Sequence, residues 1–232
     1  MKKIIFAFAM FIAFSVSAQD SYYTVYTFVV EPQNQATVYN LVEDYYSKNK
    51  PEDVFVRLFE IHFAGGDATH SIVFSGSQEA LGNMYGGGPN DSFSLFLTRL
   101  NQHIKDGSGS AMGRNISLVG ETNVRYRAQM MYFLDVKDTE TFDAAHKKFH
   151  SAHNPAGVLV NMGAPTVGMG TGNYNRWVMV GFKDMKTAIG GANKLLAGDA
   201  LKAREKAWED FVENNGGVEM KGSGLRLLLG AW

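Results

Sequence analysis

The sequence predicts an α+β protein in which two tandem copies of one β-α-β-β-α-β unit follow each other in a chain of 232 residues. Three observations support this prediction. The two halves resemble each other, strand-like and helix-like segments alternate in the same order in each half, and a glycine-rich break interrupts the second helical region of both.

The internal similarity is clearest where residues 46–51 (Tyr-Ser-Lys-Asn-Lys-Pro) align with residues 150–155 (His-Ser-Ala-His-Asn-Pro). Extended without a gap, this alignment places Val42 on His146 and residues 54–56 on residues 158–160. We therefore expect a first unit at residues 19–123 and a second unit at residues 124–232.

In the first unit, an extended run at 22–30 is rich in the aromatic and β-branched residues that favour strands. A helix follows, because Val38, Leu41, Val42 and Tyr45 share the spacing of one helical face. We then expect strands at 54–63 and 71–76, a helical region broken at 86–89, and a closing strand near 115–119. The second part of the broken region carries its own apolar stripe, formed by Phe93, Phe96, Leu97, Leu100 and Ile104.

The second unit repeats this order. A strand at 126–136 precedes a helix that begins at Asp138 or Thr139, both good N-cap residues, and stops before Pro155. Strands at 158–167 and 176–182, a break at 190–191, a second helix and a closing strand near 224–229 complete the unit. This is the element order of a ferredoxin-like unit.

Two such units in one chain resemble the dimeric α/β-barrel superfamily, which includes antibiotic-biosynthesis monooxygenases, haem-degrading monooxygenases and stress-responsive barrel proteins. The resemblance covers nearly all of the chain after residue 18. It implies that two antiparallel sheets face each other around a barrel interior and that one chain closes the barrel. We therefore expect a monomer or a dimer of complete barrels.

The first 18 residues have the features of a secretory signal peptide: Lys2 and Lys3, an apolar run at 4–14, and small residues up to Ala18. The run is too short for a stable membrane anchor, so we expect an exported periplasmic or extracellular protein. Cleavage takes the net charge from −1 to −3, and the chain has no cysteine. This charge does not indicate a nucleic-acid partner, and we expect a small molecule or a protein as the ligand.

The most distinctive local pattern is His146-x-x-x-His150-x-x-His153, near the end of the first helix of the second unit. These spacings place the three imidazoles on about one helical face, and imidazole is a common ligand for zinc, copper and haem iron. A metal site formed by these histidines is one hypothesis. The alternative is that His146 is a semi-buried core histidine whose ring is hydrogen-bonded, while His150 and His153 are solvated at the helix end.

Further candidates for ligand binding follow from the resemblance. Haem-degrading relatives place aromatic residues against a porphyrin, as Trp177 would be placed here, although a core position is the alternative for this residue. Those relatives carry the axial histidine in a second helix, where the second unit has none and the first unit has His103. His62 and His70 flank a turn of the first unit and are expected at the mouth of a cavity.

These observations favour a barrel that binds a small apolar or aromatic ligand, because aromatic residues and methionine are abundant and no catalytic motif is present. One alternative is a monooxygenase-like or isomerase-like enzyme that uses haem or a divalent metal. The other is an interaction protein without chemistry in its interior. The sequence assigns no catalytic residue.

Overall fold

In the computed structural model, which describes residues 21–88, 90–168 and 173–232, strands and helices follow the order expected for two tandem ferredoxin-like units. The predicted signal peptide lies outside the described residues, so export remains a prediction. The described helices include none that combines the length and apolar character needed to cross a membrane.

The elements of the first unit are β1 (Ser21–Val30), α1 (Gln35–Tyr46), β2 (Val54–His62), β3 (His70–Ser77), α2 (Gln78–Gly86), α3 (Asp91–Asn101) and β4 (Ile104–Val119). Those of the second unit are β5 (Ala128–Val136), α4 (Thr139–His153), β6 (Val158–Gly168), β7 (Arg176–Phe182), α5 (Met185–Gly190), α6 (Gly198–Glu213) and β8 (Val218–Ala231).

Local signals explain where α4 begins and ends. The Asp138 carboxylate accepts a hydrogen bond from the Thr141 backbone N–H at 3.1 Å, which satisfies one of the free donors of the first turn. At the other end, Asn154 is extended, with φ −74° and ψ 125°, as expected for a residue before proline. The predicted start and end of this helix are therefore confirmed.

The eight strands close into one antiparallel barrel in the order β1-β3-β2-β8-β5-β7-β6-β4. Each unit contributes four consecutive strands, and the units join edge to edge through the β2–β8 ladder and the β4–β6 ladder. We call these the β2–β8 junction and the β4–β6 junction. Closure gives the edge strands of each unit backbone partners that neither sheet has alone.

The helices pack on the outside of the barrel, and each unit has its own core between helices and sheet. In the first unit, this core joins Val38 and Val42 of α1 to Val56 and Leu58 of β2. In the second unit, it joins Phe142 of α4 to the sheet. A third, smaller cluster lies inside the barrel and is formed around Tyr23, Trp177 and Met179.

The two closing strands are much longer than the sequence predicts. β4 begins at Ile104, which the helical stripe assigns to a helix, and β8 begins at Val218. The glycine- and serine-rich start of β4 lacks a strand pattern, yet it pairs with β1 as far as Ile104. Backbone pairing with β1 and a hydrogen bond from the Thr27 hydroxyl to the Gly109 carbonyl hold this stretch in the sheet, so its own side-chain pattern does not report it.

Candidate functional site

The barrel interior is lined by one side of every strand. Val73 of β3 is paired with Val25 of β1 on one side and with Arg57 of β2 on the other, so the three side chains point to the same side of the sheet. Met131 of β5 also points inward and contacts the interior cluster. These inward side chains are only partly buried, whereas the outward-facing Val56 and Leu58 are 0% exposed. Inward-facing Phe59 and the interior cluster itself are buried, so the space that solvent can reach lies beside the partly buried residues.

One wall of the interior, at the β4–β6 junction, is aromatic. The Trp177 indole N–H donates a hydrogen bond to the Tyr23 hydroxyl at 2.8 Å, and the two rings meet edge to face with centroids 5.2 Å apart. Two glycines make room for this pair. Gly113 lies opposite Tyr23, where a Cβ would come within 2.8 Å of Tyr23 Cε1, and Gly163 lies opposite Trp177, where a Cβ would overlap the indole.

The wall at the β2–β8 junction is basic. Arg57 of β2 donates a hydrogen bond to the Ser75 hydroxyl at 2.9 Å, and Arg226 of β8 donates one from Nε to Gln129 Oε1 at 3.0 Å. The Arg226 guanidinium lies over the ring of the buried Phe59, with its carbon 3.9 Å from the ring centroid. This distance is typical of a cation–π contact.

The two arginines have no acidic partner among the residues that the structure describes. Among the described residues, the ion pairs involve neither Arg57 nor Arg226. Burial lowers the pKa of both guanidinium groups, and the positive charge of Arg57 lowers the pKa of Arg226 further. Since arginine stays protonated at neutral pH, the wall carries two unpaired positive charges.

The basic and aromatic walls lie on opposite sides of the barrel. In the closed order of strands, the β2–β8 junction and the β4–β6 junction are separated by four strands in either direction. A molecule inside the barrel would therefore meet guanidinium groups on one side and the edges of Tyr23 and Trp177 on the other. The two walls together can bind such a molecule and fix its orientation.

His146 and His150 lie outside this interior, in the core between helices and sheet of the second unit. Their rings are 4.4 Å apart, and they are 3% and 6% exposed. Within the described part of the chain, both nitrogens of His146 and Nδ1 of His150 have no hydrogen-bond partner. Burial lowers the pKa of His146 to about 4 and that of His150 to about 3, so both rings are neutral at pH 7.

The alternative that His150 is solvated at the helix end is wrong, because its ring is covered by the second-unit core. His146 is a core residue, as that alternative states, but it is not hydrogen-bonded. His153 is half-buried against Phe149, with ring centroids 5.8 Å apart. No three His, Cys, Asp or Glu side chains in the described part of the chain are grouped as metal ligands. Metal binding by this helix therefore stays a prediction.

A porphyrin does not fit at the two buried histidines. Phe142 and Phe211 pack on the His146 ring, and Phe149 packs on the His150 ring with centroids 4.9 Å apart. These aromatic contacts occupy the space that a haem would need at either nitrogen. We therefore derive no chemistry through haem at this position.

The other predicted histidines also lie away from the interior. His70 is buried on the outward side of β3, where its ring stacks on Phe28, and His62 Nε2 lies 3.3 Å from Glu60 Oε2 on the same outward side of β2. His103 is not in the second helix as expected. α3 ends at Asn101, and His103 occupies the turn before β4, with its N–H bonded to the Leu100 carbonyl.

Trp177 is thus the one predicted ligand-binding residue that faces the interior, whereas Arg57 and Arg226 were not predicted. Each arginine stands between two apolar residues of a strand, namely Val56 and Leu58, and Leu225 and Leu227. This alternation is the available signal, although on its own it predicts a solvent-facing side of the sheet.

No protein-family model and no curated protein matches the sequence. Three solved structures are similar over most of both chains. A proposed monooxygenase from Fusobacterium nucleatum shares 16% identity at a TM-score of 0.58, covering 92% of this chain and 94% of that one. A proposed monooxygenase from Lactobacillus acidophilus shares 13% identity at a TM-score of 0.56, covering 91% of this chain and 94% of that one. An anthrone oxidase-like protein shares 9% identity at a TM-score of 0.52, covering 93% of this chain and 94% of that one.

At such low identity, these similarities bear on the fold and not on the activity. They agree with the closed eight-stranded barrel built from two four-stranded sheets. The chain therefore has the fold of the dimeric α/β-barrel superfamily, with both ferredoxin-like units supplied by one polypeptide.

Proposed function

We propose that the barrel interior binds one small molecule that is largely apolar or aromatic. The observation that carries this proposal is the contrast between the two sides of the sheet. Outward-facing residues such as Val56, Leu58 and Met162 are fully buried, whereas the inward-facing Val25 and Val73 remain partly accessible. A barrel that only supported the fold would fill its interior as tightly as its outer core.

The size and lining of the interior support the same proposal. A barrel of eight strands has an interior that either is filled by side chains or holds one small ligand. Here, the apolar inward residues contact the cluster of Tyr23, Trp177 and Met179. An apolar lining with few polar groups is the usual form of a small-molecule site.

The test is to fill the interior and measure binding of N-phenyl-1-naphthylamine, a neutral dye whose fluorescence rises in apolar surroundings. Val73→Trp places a large ring between the sheet walls, and we expect the dissociation constant to rise about tenfold or more. Val212→Trp, at an exposed position of α6, is the matched control and should bind the dye as the wild type does. Equal binding by the wild type and Val73→Trp would refute an interior site.

A second candidate function is a monooxygenase-like enzyme. It is favoured by the similarity to the two proposed monooxygenases and to the anthrone oxidase-like protein, each of which aligns along more than 90% of both chains. Oxygen uptake with anthrone as substrate tests this candidate. Uptake above the protein-free rate that disappears in Val73→Trp would support it, and uptake at the protein-free rate would count against anthrone oxidation.

We also propose that the mature protein acts outside the cytoplasm, which rests on the signal-peptide features of residues 1–18. Mass spectrometry of the protein from its natural host tests this proposal. A mature chain that begins at Gln19 is expected, and a chain that retains Lys2 and Lys3 would refute it.

A further inference from the structure

We propose that the molecule bound in the barrel is an organic anion, whose charged group is bound by Arg57 and Arg226 while its apolar body extends toward Tyr23 and Trp177. This inference rests on the proposed binding function and narrows it to a chemical class: an aromatic or aliphatic body with a carboxylate, sulfonate or similar group at one end.

The two arginines have unused hydrogen-bonding capacity. A guanidinium has five N–H donors, yet Arg57 and Arg226 each make one hydrogen bond to a side chain, through Nη1 and Nε respectively. None of their other nitrogens is both buried and unpartnered in the described structure. The free donors therefore face the accessible space inside the barrel.

The positive charges of the two arginines are not compensated by an acidic side chain among the described residues. Partly buried cations are normally paired, because removing a charge from water is costly unless an opposite charge replaces the solvent. Arg57 and Arg226 repel each other instead, and the pKa of Arg226 is lowered both by burial and by Arg57. An anion placed between them would supply the missing charge. By contrast, the buried Arg176 of the same barrel has its own acidic partner, with Nε 2.7 Å from Asp143 Oδ1.

Surrounding contacts hold the guanidinium groups in place. Arg226 is held between Gln129 and the face of Phe59, and Arg57 is tied to Ser75 on the neighbouring strand. A planar, preoriented guanidinium matches the two oxygens of a carboxylate or sulfonate, and such charge-assisted hydrogen bonds are about twice as strong as neutral ones.

The placement of the two walls would fix the orientation of a bound anion. Because the basic wall and the aromatic wall lie at opposite junctions, an anion bound by the arginines would direct its apolar part toward Tyr23 and Trp177. The site thus selects a molecule with an anionic end and an apolar end. A neutral molecule of the same shape would leave both cations uncompensated.

The test compares two dyes with the same anilinonaphthalene body. One is 8-anilinonaphthalene-1-sulfonate, which is an anion, and the other is the neutral N-phenyl-1-naphthylamine. We expect the wild type to bind the sulfonate about tenfold more tightly, and Arg57→Gln with Arg226→Gln to abolish this preference without weakening the neutral dye. Arg114→Gln, which removes an exposed arginine of β4, is the matched control and should keep the preference.

The outcomes separate the two proposals. Equal affinity of the wild type for both dyes would overturn the anion site and leave the binding function standing, whereas failure of both dyes to bind would overturn the binding function. An equal loss of sulfonate binding in Arg114→Gln would show a general charge effect and would also overturn the anion site.

Two further measurements keep the proposal testable if the double variant does not fold. Arg57→Lys and Arg226→Lys retain the charge but lose the planar group, and each should weaken sulfonate binding about threefold with neutral-dye binding unchanged. Sulfonate affinity should also be constant between about pH 6 and pH 8, because the sulfonate keeps its charge and the pKa of Arg226, lowered to about 9, still lies above this range. Unchanged sulfonate binding in both lysine variants, or a loss of binding as histidine deprotonates, would overturn the site.

Discussion

The buried pair His146 and His150 predicts a specific acid sensitivity of folding. Both imidazoles are neutral in the native state, because burial lowers their pKa to about 4 and about 3, whereas an unfolded histidine has a pKa of 6.5. Below pH 6.5, the unfolded chain therefore binds more protons than the native protein. By linkage, stability is full above pH 6.5 and falls as the pH drops toward 4.

The magnitude follows from the size of these shifts. Consider an imidazole whose pKa is 6.5 in the unfolded chain and which stays neutral in the folded protein. At pH 5 it lowers the free energy of unfolding by about 2 kcal/mol, since each pH unit below 6.5 contributes about 1.4 kcal/mol. The pair therefore accounts for about 4 kcal/mol between pH 7.5 and pH 5. The buried His70, whose pKa burial also lowers, adds a loss of the same sign.

Urea unfolding of His146→Val at pH 7.5, 6.5, 5.5 and 5 measures this effect. The loss between pH 7.5 and pH 5 should shrink by about 2 kcal/mol, and at pH 7.5 the variant should be as stable as the wild type or more stable, because valine places no unpartnered nitrogens in the core. His103→Gln, at a half-buried position in the turn before β4, is the control. An undiminished acid loss in His146→Val would refute the reasoning.

Two other predictions concern packing and charge. Gly163→Ala should destabilise the fold by about 3 kcal/mol, because the new Cβ would overlap Trp177, whereas Gly66→Ala, which meets no atom within 4 Å, should be neutral in the same urea experiment. Asp143→Asn should cost about 3–5 kcal/mol, because Asp143 is the bidentate partner of the buried Arg176, with N–O distances of 2.7 and 2.8 Å. Combining it with Arg176→Met should recover most of that loss, and failure to recover would mean that the cost is not an unpaired charge.

Much of the fold could be predicted because each element carries a local signal. The stripe of α1 places Val38 and Val42 in the core, and Asp138 caps α4 as its position before the apolar pattern indicates. The lengths of β4 and β8 could not be predicted. They depend on pairing with β1 and with β5, which lie far away in the sequence of the same unit, and the composition of one strand does not contain this long-range property.

The candidate site was harder to predict than the fold. Histidines are conspicuous in a sequence, yet His146 and His150 turn toward a filled core and His103 follows the end of its helix. Arg57 and Arg226 are inconspicuous, because a charged residue that alternates with apolar ones normally faces water. Only closure of the barrel turns that side of the strand into an interior.

Closure by a single chain has a consequence for symmetry. Two identical polypeptides that form such a barrel create two junctions related by a twofold axis, so any side chain placed at one junction is repeated at the other. Here, the alignment of the halves sets Arg57 against Asn161 and Phe59 against Gly163. The single chain has thus broken the twofold axis, which gives the barrel one polar direction. The small molecule that we propose for the interior would then bind in one orientation, with one molecule per chain.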